Sequence, residues 1–221
     1  MDHMEAMRKR HSVRSYTDEP IGAEALSAIR EEIALCNRES GLHIQLVTDE
    51  PQAFDSFMAH YGKFSGVKNY IALVGKKGAG LDETCGYYGE RLVLRLQQLG
   101  LNSCWVAMTY KKIPGAFEVG AGERLTVVLA FGHGKVEGVA HSSKSARAVS
   151  NVDGTSPEWF KRGVEAALLA PTAMDQQKFT LHREGNVVSA KAGIGFYSKV
   201  DLGIVKYHFE LGAGRDSFTW G

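Results

Sequence analysis

Arg10, Ser12 and Arg14 alternate along a short polar segment near the N-terminus. In an extended chain, alternate side chains point the same way, so these three present two guanidinium groups and a hydroxyl along one edge. Guanidinium groups bind phosphate bidentately and with charge assistance, and each such bond contributes about 1.5 to 3 kcal/mol when shielded from water. The segment is therefore a candidate phosphate site. From spacing alone, a solvated basic stretch that pairs with Asp18 and Glu19 is the favoured alternative.

Other motif-like features carry less weight. Three glycine-bearing segments come close to nucleotide-binding motifs: residues 75–80 lack the glycine order of the dinucleotide fingerprint, residues 132–135 lack the spacing and hydroxyl of a phosphate loop, and residues 212–215 follow a helix instead of preceding one. Each is interpreted as a turn, and none is assigned a cofactor. Lone histidines such as His60 and His208 are interpreted as structural or solvated.

The composition predicts an ordinary soluble globular protein. Of 221 residues, 44% are hydrophobic and 23% charged, and 26 basic residues oppose 25 acidic ones, so the chain lacks the basic field that drives non-specific nucleic-acid binding. Three cysteines without a Cys-x-x-Cys pair indicate reduced thiols, not zinc or a disulfide framework. No apolar run approaches the roughly 20 residues that span a bilayer. We expect a cytoplasmic protein with no metal, no nucleic-acid partner and no membrane association.

Helices and strands must position the candidate residues, and the sequence predicts that they alternate. Helical apolar spacing predicts helices at residues 3–10, 23–37, 84–99, 156–170 and 201–211. Alternating or continuous apolar runs predict strands at residues 42–47, 70–74, 103–107 and 124–131, and a hairpin over 179–192. Residues 22–48 and 156–183 share a helix-loop-strand layout, and internal duplication stays an open interpretation. The pattern predicts one layered α+β domain over residues 1–221.

Three motifs resemble the FMN-dependent nitroreductase family. Residues 10–16 are similar to its N-terminal Arg-x-Ser-x-Arg/Lys-x-Phe/Tyr signature, and residues 96–105 to its long helix ending in Gly-Leu-Gly-x-x-Trp. Residues 170–177, Ala-Pro-Thr-Ala-Met-Asp-Gln-Gln, are similar to its Ala-Pro-Ser-x-x-Asn-x-Gln loop. A basic stretch at residues 143–147 follows a strand, as in the family.

The position of this loop resembles one branch of the family. The loop follows the helix of the second helix-loop-strand unit, and residues 201–204, Asp-Leu-Gly-Ile, lie behind it, as in the putative TM nitroreductase type. Asp175 stands where the family has Asn, and Lys178-Phe179 where it has Pro-Trp. These departures put the tuning of the flavin in question.

The resemblance implies a nitroreductase-like fold, with a central, mainly antiparallel sheet flanked by helices, and an FMN cofactor. It implies that Arg10, Ser12 and Lys144 hold the phosphate, that Arg14 lies near N1 and O2 of the flavin, and that the 170–177 loop wraps the ring. The implied cofactor-binding residues are Arg10, His11, Ser12, Arg14, Lys144, Pro171, Thr172, Ala173, Met174, Asp175 and Gln176. No side chain is implied as a catalytic group, because the flavin carries the redox chemistry.

The implied activity is NAD(P)H-dependent oxidoreduction. Electrons pass from NADH or NADPH through the flavin to a small acceptor such as a nitroaromatic or a quinone, with ping-pong kinetics. The alternatives are a related flavin enzyme, of flavin-fragmenting or reductive dehalogenase type, and a non-catalytic FMN-binding or storage protein. The family forms homodimers, and Phe218 and Trp220 in the C-terminal tail are candidate anchors for a partner chain. Packing of this tail on its own domain is the alternative.

Overall fold

The computed structural model describes all residues, 1–221. Contacts divide the chain into two compact units. Unit 1 comprises Met1–Lys9, Asp82–Arg91 and His141–Gly221, and unit 2 comprises Arg10–Leu81 and Leu92–Ala140. The single domain expected over the whole chain stays a prediction. None of the helices has the length and apolar character needed to cross a membrane.

Helices and strands alternate, and the predicted α+β class is confirmed. The helices are α1 His3–Lys9, α2 Ala23–Ser40, α3 Phe57–Tyr61, α4 Leu81–Gln98, α5 Ala146–Val149, α6 Glu158–Leu168 and α7 Ser198–Ala213. The strands are β1 Gln45–Val47, β2 Asn69–Lys76, β3 Asn102–Val106, β4 Glu123–Gly132, β5 Phe179–Glu184, β6 Val187–Ala192 and β7 Thr219–Trp220. All pairings except that of β6 with β7 are antiparallel.

Unit 2 is built on a four-stranded sheet in the order β1-β2-β4-β3. Strand β2 is central, and its residues 70–74 are fully buried, which explains why they are apolar on both faces. It pairs with β4 from Asn69 opposite Phe131 to Lys76 opposite Glu123. The predicted central strand is therefore confirmed.

The N-terminal segment of unit 2 is extended and lies beside strand β3. Ser12 bridges to Ser103, and the Val13 N–H donates to the Ser103 carbonyl at 3.0 Å. The buried Tyr16 fixes the end of the segment, because its hydroxyl donates to the Val13 carbonyl at 2.6 Å and its N–H to Ser65 at 3.0 Å. The sheet thus holds residues 10–16 in the extended form that was predicted for Arg10, Ser12 and Arg14.

Unit 1 combines a three-stranded sheet, in the order β5-β6-β7, with closely packed helices. At the crossing of α4 and α7 the backbones touch: a Cβ on Gly203 would collide with the Glu83 backbone, and one on Gly86 with the Val200 carbonyl. Glycine therefore sets the approach of these two helices. The first turn of α7 is held against α4 as a result.

Several predicted boundaries are corrected. Strand β1 begins at Gln45, not at residue 42, because the Asn37 side chain takes both backbone groups of Ile44: its Nδ2 donates to the carbonyl at 2.9 Å and its Oδ1 accepts from the N–H at 2.7 Å. Helix α6 begins at Glu158, because Ser156 donates its hydroxyl to Asp153 at 3.0 Å and does not cap the helix.

The glycine segments interpreted as turns are also corrected in part. Gly75 lies within β2, Gly132 ends β4, and Gly212 lies within α7. A Cβ on Gly212 would come within 2.6 Å of the Arg162 carbonyl oxygen, so that glycine serves helix packing. The turn interpretation holds for Gly214, which has a φ of 84° after the helix end.

The C-terminal tail packs on unit 1. The buried Phe218 ring stacks on Trp159 at 5.8 Å and meets the edge of Phe209 at 5.0 Å. The Trp220 indole donates to Glu210 at 2.9 Å. The structure therefore favours packing of the tail on its own chain over anchoring of a partner.

The interpretation of His208 as structural agrees with its surroundings. The fully buried ring lies between two partners in unit 1: Nε2 is 2.9 Å from the Glu90 carboxylate and Nδ1 is 3.0 Å from the Ala166 carbonyl. With both ring nitrogens engaged, the side chain has no free position for a substrate.

Candidate functional site

Arg10 is the most constrained of the predicted phosphate ligands in unit 2. Only 4% of its surface is exposed, although arginine is seldom fully buried without a partner. Its Nε, also buried, has no hydrogen-bond partner within the protein. Leaving such a donor unsatisfied costs about 1 to 3 kcal/mol. A bound anion would satisfy it, so the residue fits a phosphate ligand.

Ser12 and Arg14 gather with Arg10 around the buried thiol of Cys104 on β3. Burial raises the pKa of this thiol, while the charges of Arg14 and Arg10 and a hydrogen bond with Ser12 act in the lowering direction. Ser12 and Arg14 are exposed, and the Arg14 guanidinium lies over the Phe64 ring at 5.9 Å from its centre. The three side chains thus converge, as the alternation predicted.

His11 has a different environment from its neighbours. It is half-buried, and a Cβ on Gly138, whose φ is 74°, would lie 2.8 Å from the His11 Cβ. Close packing of the backbone at Gly138 therefore fixes this residue. Its contact with a cofactor stays a prediction.

In unit 1, loop 171–177 carries most of the other predicted residues. Pro171 is buried, Thr172, Ala173 and Gln176 are half-buried, and Met174 and Asp175 are exposed. The φ angles of Met174, Asp175 and Gln177 are 54°, 51° and 42°. Left-handed conformations of non-glycine residues cost of the order of 1 to 3 kcal/mol each and cluster at ligand-binding sites. The loop therefore needs anchors that hold it.

Gln177 is the first anchor of the loop. It is 1% exposed, and its N–H donates to the Thr172 hydroxyl at 3.0 Å. Its Oε1 accepts the Lys144 N–H at 2.7 Å, and its Nε2 donates to the Leu168 carbonyl at 3.1 Å and lies 3.3 Å from His141 Nε2. The sequence motif included this glutamine, but the predicted binding set did not.

Asp201, in the first turn of α7, is the second anchor. It is 3% exposed, and its two oxygens accept from the Ala173 N–H at 2.9 Å and from Gln176 Nε2 at 2.8 Å. The same Gln176 nitrogen donates to the Phe196 carbonyl at 2.7 Å. Burial raises the pKa of Asp201 to about 6, against the two hydrogen bonds, which act to lower it.

Lys144 is bound to the loop. Besides its backbone bond, its Nζ donates to the Gln177 carbonyl at 3.0 Å. An ammonium group has three donors, so two remain for other acceptors. Its contact with the phosphate stays a prediction. No group of three or more His, Cys, Asp or Glu side chains is arranged to hold a metal ion.

Solved structures share this fold at low sequence identity. A putative nitroreductase from Thermotoga maritima has 21% identity and a TM-score of 0.68, over 98% of this chain and 85% of that one. A putative nitroreductase from Desulfovibrio desulfuricans, in complex with FMN, has 17% identity and a TM-score of 0.53, over 71% and 99%. An FMN-dependent nitroreductase from Clostridium difficile has 19% identity and a TM-score of 0.50, over 63% and 91%.

The family comparison covers nearly the whole chain. The family model described as "Putative TM nitroreductase" matches residues 2–213, which include residues 10–16, loop 171–177 and Asp201. The search of curated proteins gave no match. The chain therefore belongs to the TM-type nitroreductase family.

Proposed function

We propose that this protein is an FMN-dependent oxidoreductase that passes electrons from NADH or NADPH to a small acceptor such as a nitroaromatic or a quinone. Membership of a nitroreductase family supports a flavin-dependent oxidoreductase. The observation that carries the cofactor assignment is the buried Arg10, whose Nε has no partner within the protein. Bound FMN supplies the redox chemistry, in a ping-pong cycle that alternates donor and acceptor.

Arg10 and Ser12 of unit 2 are assigned to the FMN phosphate, and Arg14 is assigned to the N1 and O2 edge of the flavin. Arg10 supplies positive charge to the phosphate, and the Ser12 hydroxyl supplies a neutral donor. Because burial raises the pKa of Cys104, its thiol stays neutral and adds no negative charge beside the phosphate. Lys144 is proposed to add a further cation. Arg10 and Lys144 together are proposed to balance the two negative charges of a phosphate dianion.

Loop 171–177 is assigned to the flavin ring. Met174 and Asp175 in its strained part are exposed, while Pro171 and Gln177 at its two ends are buried. Because the loop is fixed at both ends, it presents a defined surface to a planar ligand. Binding then does not require the loop to lose conformational entropy. Asp175, when ionised near the ring, would oppose reduction, since it would add negative charge to a flavin that is gaining electrons.

A homodimer is proposed as the working assembly. In unit 1, Ile194 is 97% and Phe196 73% exposed, and Tyr197 beside them is also exposed. Soluble monomers seldom expose apolar side chains in such a group, and association would bury them. Light scattering should give about twice the chain mass of 24.1 kDa at micromolar protein concentration. A monomer would contradict the proposed assembly.

Substitution of Arg10 tests the cofactor assignment. Because Arg10→Ala removes a buried charged donor, the Kd for FMN should rise by about 10- to 100-fold. Arg8→Ala, which removes an exposed arginine of α1, is the matched control and should bind FMN like the wild type. Circular dichroism establishes that both variants fold. Equal FMN affinity of folded Arg10→Ala and wild type would contradict the phosphate assignment.

Turnover is tested separately. Steady-state oxidation of NADPH in the presence of a quinone or a nitroaromatic is expected from FMN-loaded protein. FMN binding without such turnover would instead identify a binding or storage protein.

A further inference from the structure

Both oxygens of the Asp201 carboxylate accept hydrogen bonds from loop 171–177. One oxygen accepts the Ala173 N–H at 2.9 Å and the other accepts Gln176 Nε2 at 2.8 Å. Gln176 extends the link to the Phe196 carbonyl at 2.7 Å. A single buried side chain therefore connects the start of the loop, its end and the segment that precedes α7.

The backbone–backbone hydrogen bonds inside the loop are those of single turns: the Asp175 N–H donates to Thr172 at 3.0 Å and the Gln176 N–H to Ala173 at 3.1 Å. One side-chain bond adds to them, from the Gln177 N–H to the Thr172 hydroxyl. Met174 and Asp175 nevertheless have left-handed φ angles, which persist only where the surroundings determine them. Gln177 fixes the end of the loop, which leaves Asp201 as the anchor of Ala173.

Helix α7, which carries Asp201, is closely packed against α4 at this point. Two residues later, Gly203 meets the backbone of Glu83 so closely that a Cβ would collide with it. The carboxylate also lies in the first turn of α7, where the helix dipole favours a negative charge. Asp201 is thus a fixed point against which the loop is set.

We propose that Asp201 is a positioning residue that holds loop 171–177 in its flavin-binding conformation, so that affinity for the flavin depends on the ionised carboxylate. The inference rests on the proposed function. The ionised carboxylate accepts both hydrogen bonds with charge assistance, whereas protonation removes that charge and turns one of the two oxygens into an O–H donor. Flavin binding should therefore weaken as Asp201 is protonated.

The other charged groups near Asp201 do not cause its raised pKa. The loop side carries Asp175 and Lys178, the start of α7 carries Lys199, and α4 carries Glu83, which pairs with Lys206. The raised pKa of Asp201 comes from burial, and no charged side chain is among its causes. A pH response that disappears on substitution of Asp201 can therefore be assigned to this residue.

Asp201→Asn tests the proposal, with Asp216→Asn, an exposed aspartate of the same unit, as the matched control. Asparagine has the shape of aspartate but turns an amide donor towards one of the loop's donors. At about pH 7.5 the Kd of Asp201→Asn for FMN should be about tenfold higher than that of the wild type. Gln176→Leu should weaken binding similarly, and the double variant should be no weaker than either single one.

The pH profile separates positioning from a general structural role. Between about pH 7.5 and pH 5 the Kd of the wild type and of Asp216→Asn should approach that of Asp201→Asn. The FMN phosphate also titrates in this range, so the readout is the difference between variant and wild type at each pH. Because the buried charge is removed, Asp201→Asn should melt no lower than the wild type at pH 7.5.

The outcomes distinguish the two proposals. A constant ratio of Kd values across the pH range, or equal Kd values throughout, would overturn the role of Asp201 while leaving the proposed function intact. Absence of FMN binding by both the wild type and Asp216→Asn would overturn the proposed function itself. A folded Asp201→Asn variant with a lower melting temperature and unaltered FMN affinity would show that Asp201 serves stability alone.

Discussion

Arg14 and Arg10 have different surroundings and should have different roles. Arg10 is buried with an unsatisfied Nε, whereas Arg14 is exposed and is steadied by the Phe64 ring beneath its guanidinium. A buried donor without a partner is suited to binding a fixed anion. A cation held at the surface of the site is suited to stabilising charge that develops during the reaction.

Substitution of Arg14 should therefore change the redox potential of bound FMN. Because Arg14→Ala removes a positive charge that favours the reduced flavin, the midpoint potential should fall by about 30 mV, equivalent to about 1.4 kcal/mol for two electrons. Arg38→Ala, an exposed arginine of α2, should leave the potential unaltered. Spectroelectrochemistry measures both. An unchanged midpoint potential in Arg14→Ala would contradict its placement beside the flavin.

At the scale of residues, the sequence predicted those groupings of side chains that depend on the local backbone conformation. Alternation in an extended segment was enough to group Arg10, Ser12 and Arg14. The loop anchors were not among the predicted binding residues, because their contacts arise only on folding: Asp201 and Gln176 are separated by 25 residues. The family resemblance put residues 201–204 behind the loop, but the hydrogen bonds from the loop to Asp201 follow only from the packing of α7.

At the scale of elements, the crossing of α4 and α7 supports the site. Gly203 and Gly86 allow the two backbones to touch, which fixes the turn of α7 that carries Asp201. The apolar spacing predicted both helices, but it did not predict that they cross so closely. A glycine inside a helical sequence pattern does not show which residue it will contact in the folded chain. The same limit applies to β1, which Asn37 shortens through a contact with Ile44.

Gly203→Ala should destabilise the protein. Its methyl group has no space against the Glu83 backbone, and overpacking of this kind costs about 1 to 3 kcal/mol. Gly154→Ala is the control, because a Cβ there meets no atom within 4 Å. Urea unfolding gives the free energy of both variants. Equal stability of Gly203→Ala and the wild type would show that the helices are not held at this distance.

At the scale of the whole molecule, Asp201 links stability to pH. Burial raises its pKa from 3.8 to about 6, so between these values the folded protein binds a proton that the unfolded chain does not. This group therefore adds stability as the pH falls below about 6, and its contribution, of the order of 3 kcal/mol, is complete below about pH 4. At neutral pH the ionised Asp201 carboxylate strengthens the hydrogen bonds to the loop. The same ionisation lowers the free energy of unfolding of the whole protein.

Urea unfolding of the wild type and Asp201→Asn at about pH 7 and about pH 4.5 tests this linkage. The free energy of unfolding of the wild type should rise relative to that of Asp201→Asn as the pH is lowered, because only the wild type gains the proton. Asp216→Asn should follow the wild type. Parallel pH dependences of the wild type and Asp201→Asn would contradict the linkage.

The cofactor content of the purified protein tests the central claim most directly. The protein is purified without added flavin, its visible absorption spectrum is recorded, and any ligand released on denaturation is identified and quantified. We predict a yellow protein that releases about one FMN per chain, because the buried Arg10 and the anchored loop 171–177 are both present before binding. A colourless protein that also fails to bind added FMN would contradict the account.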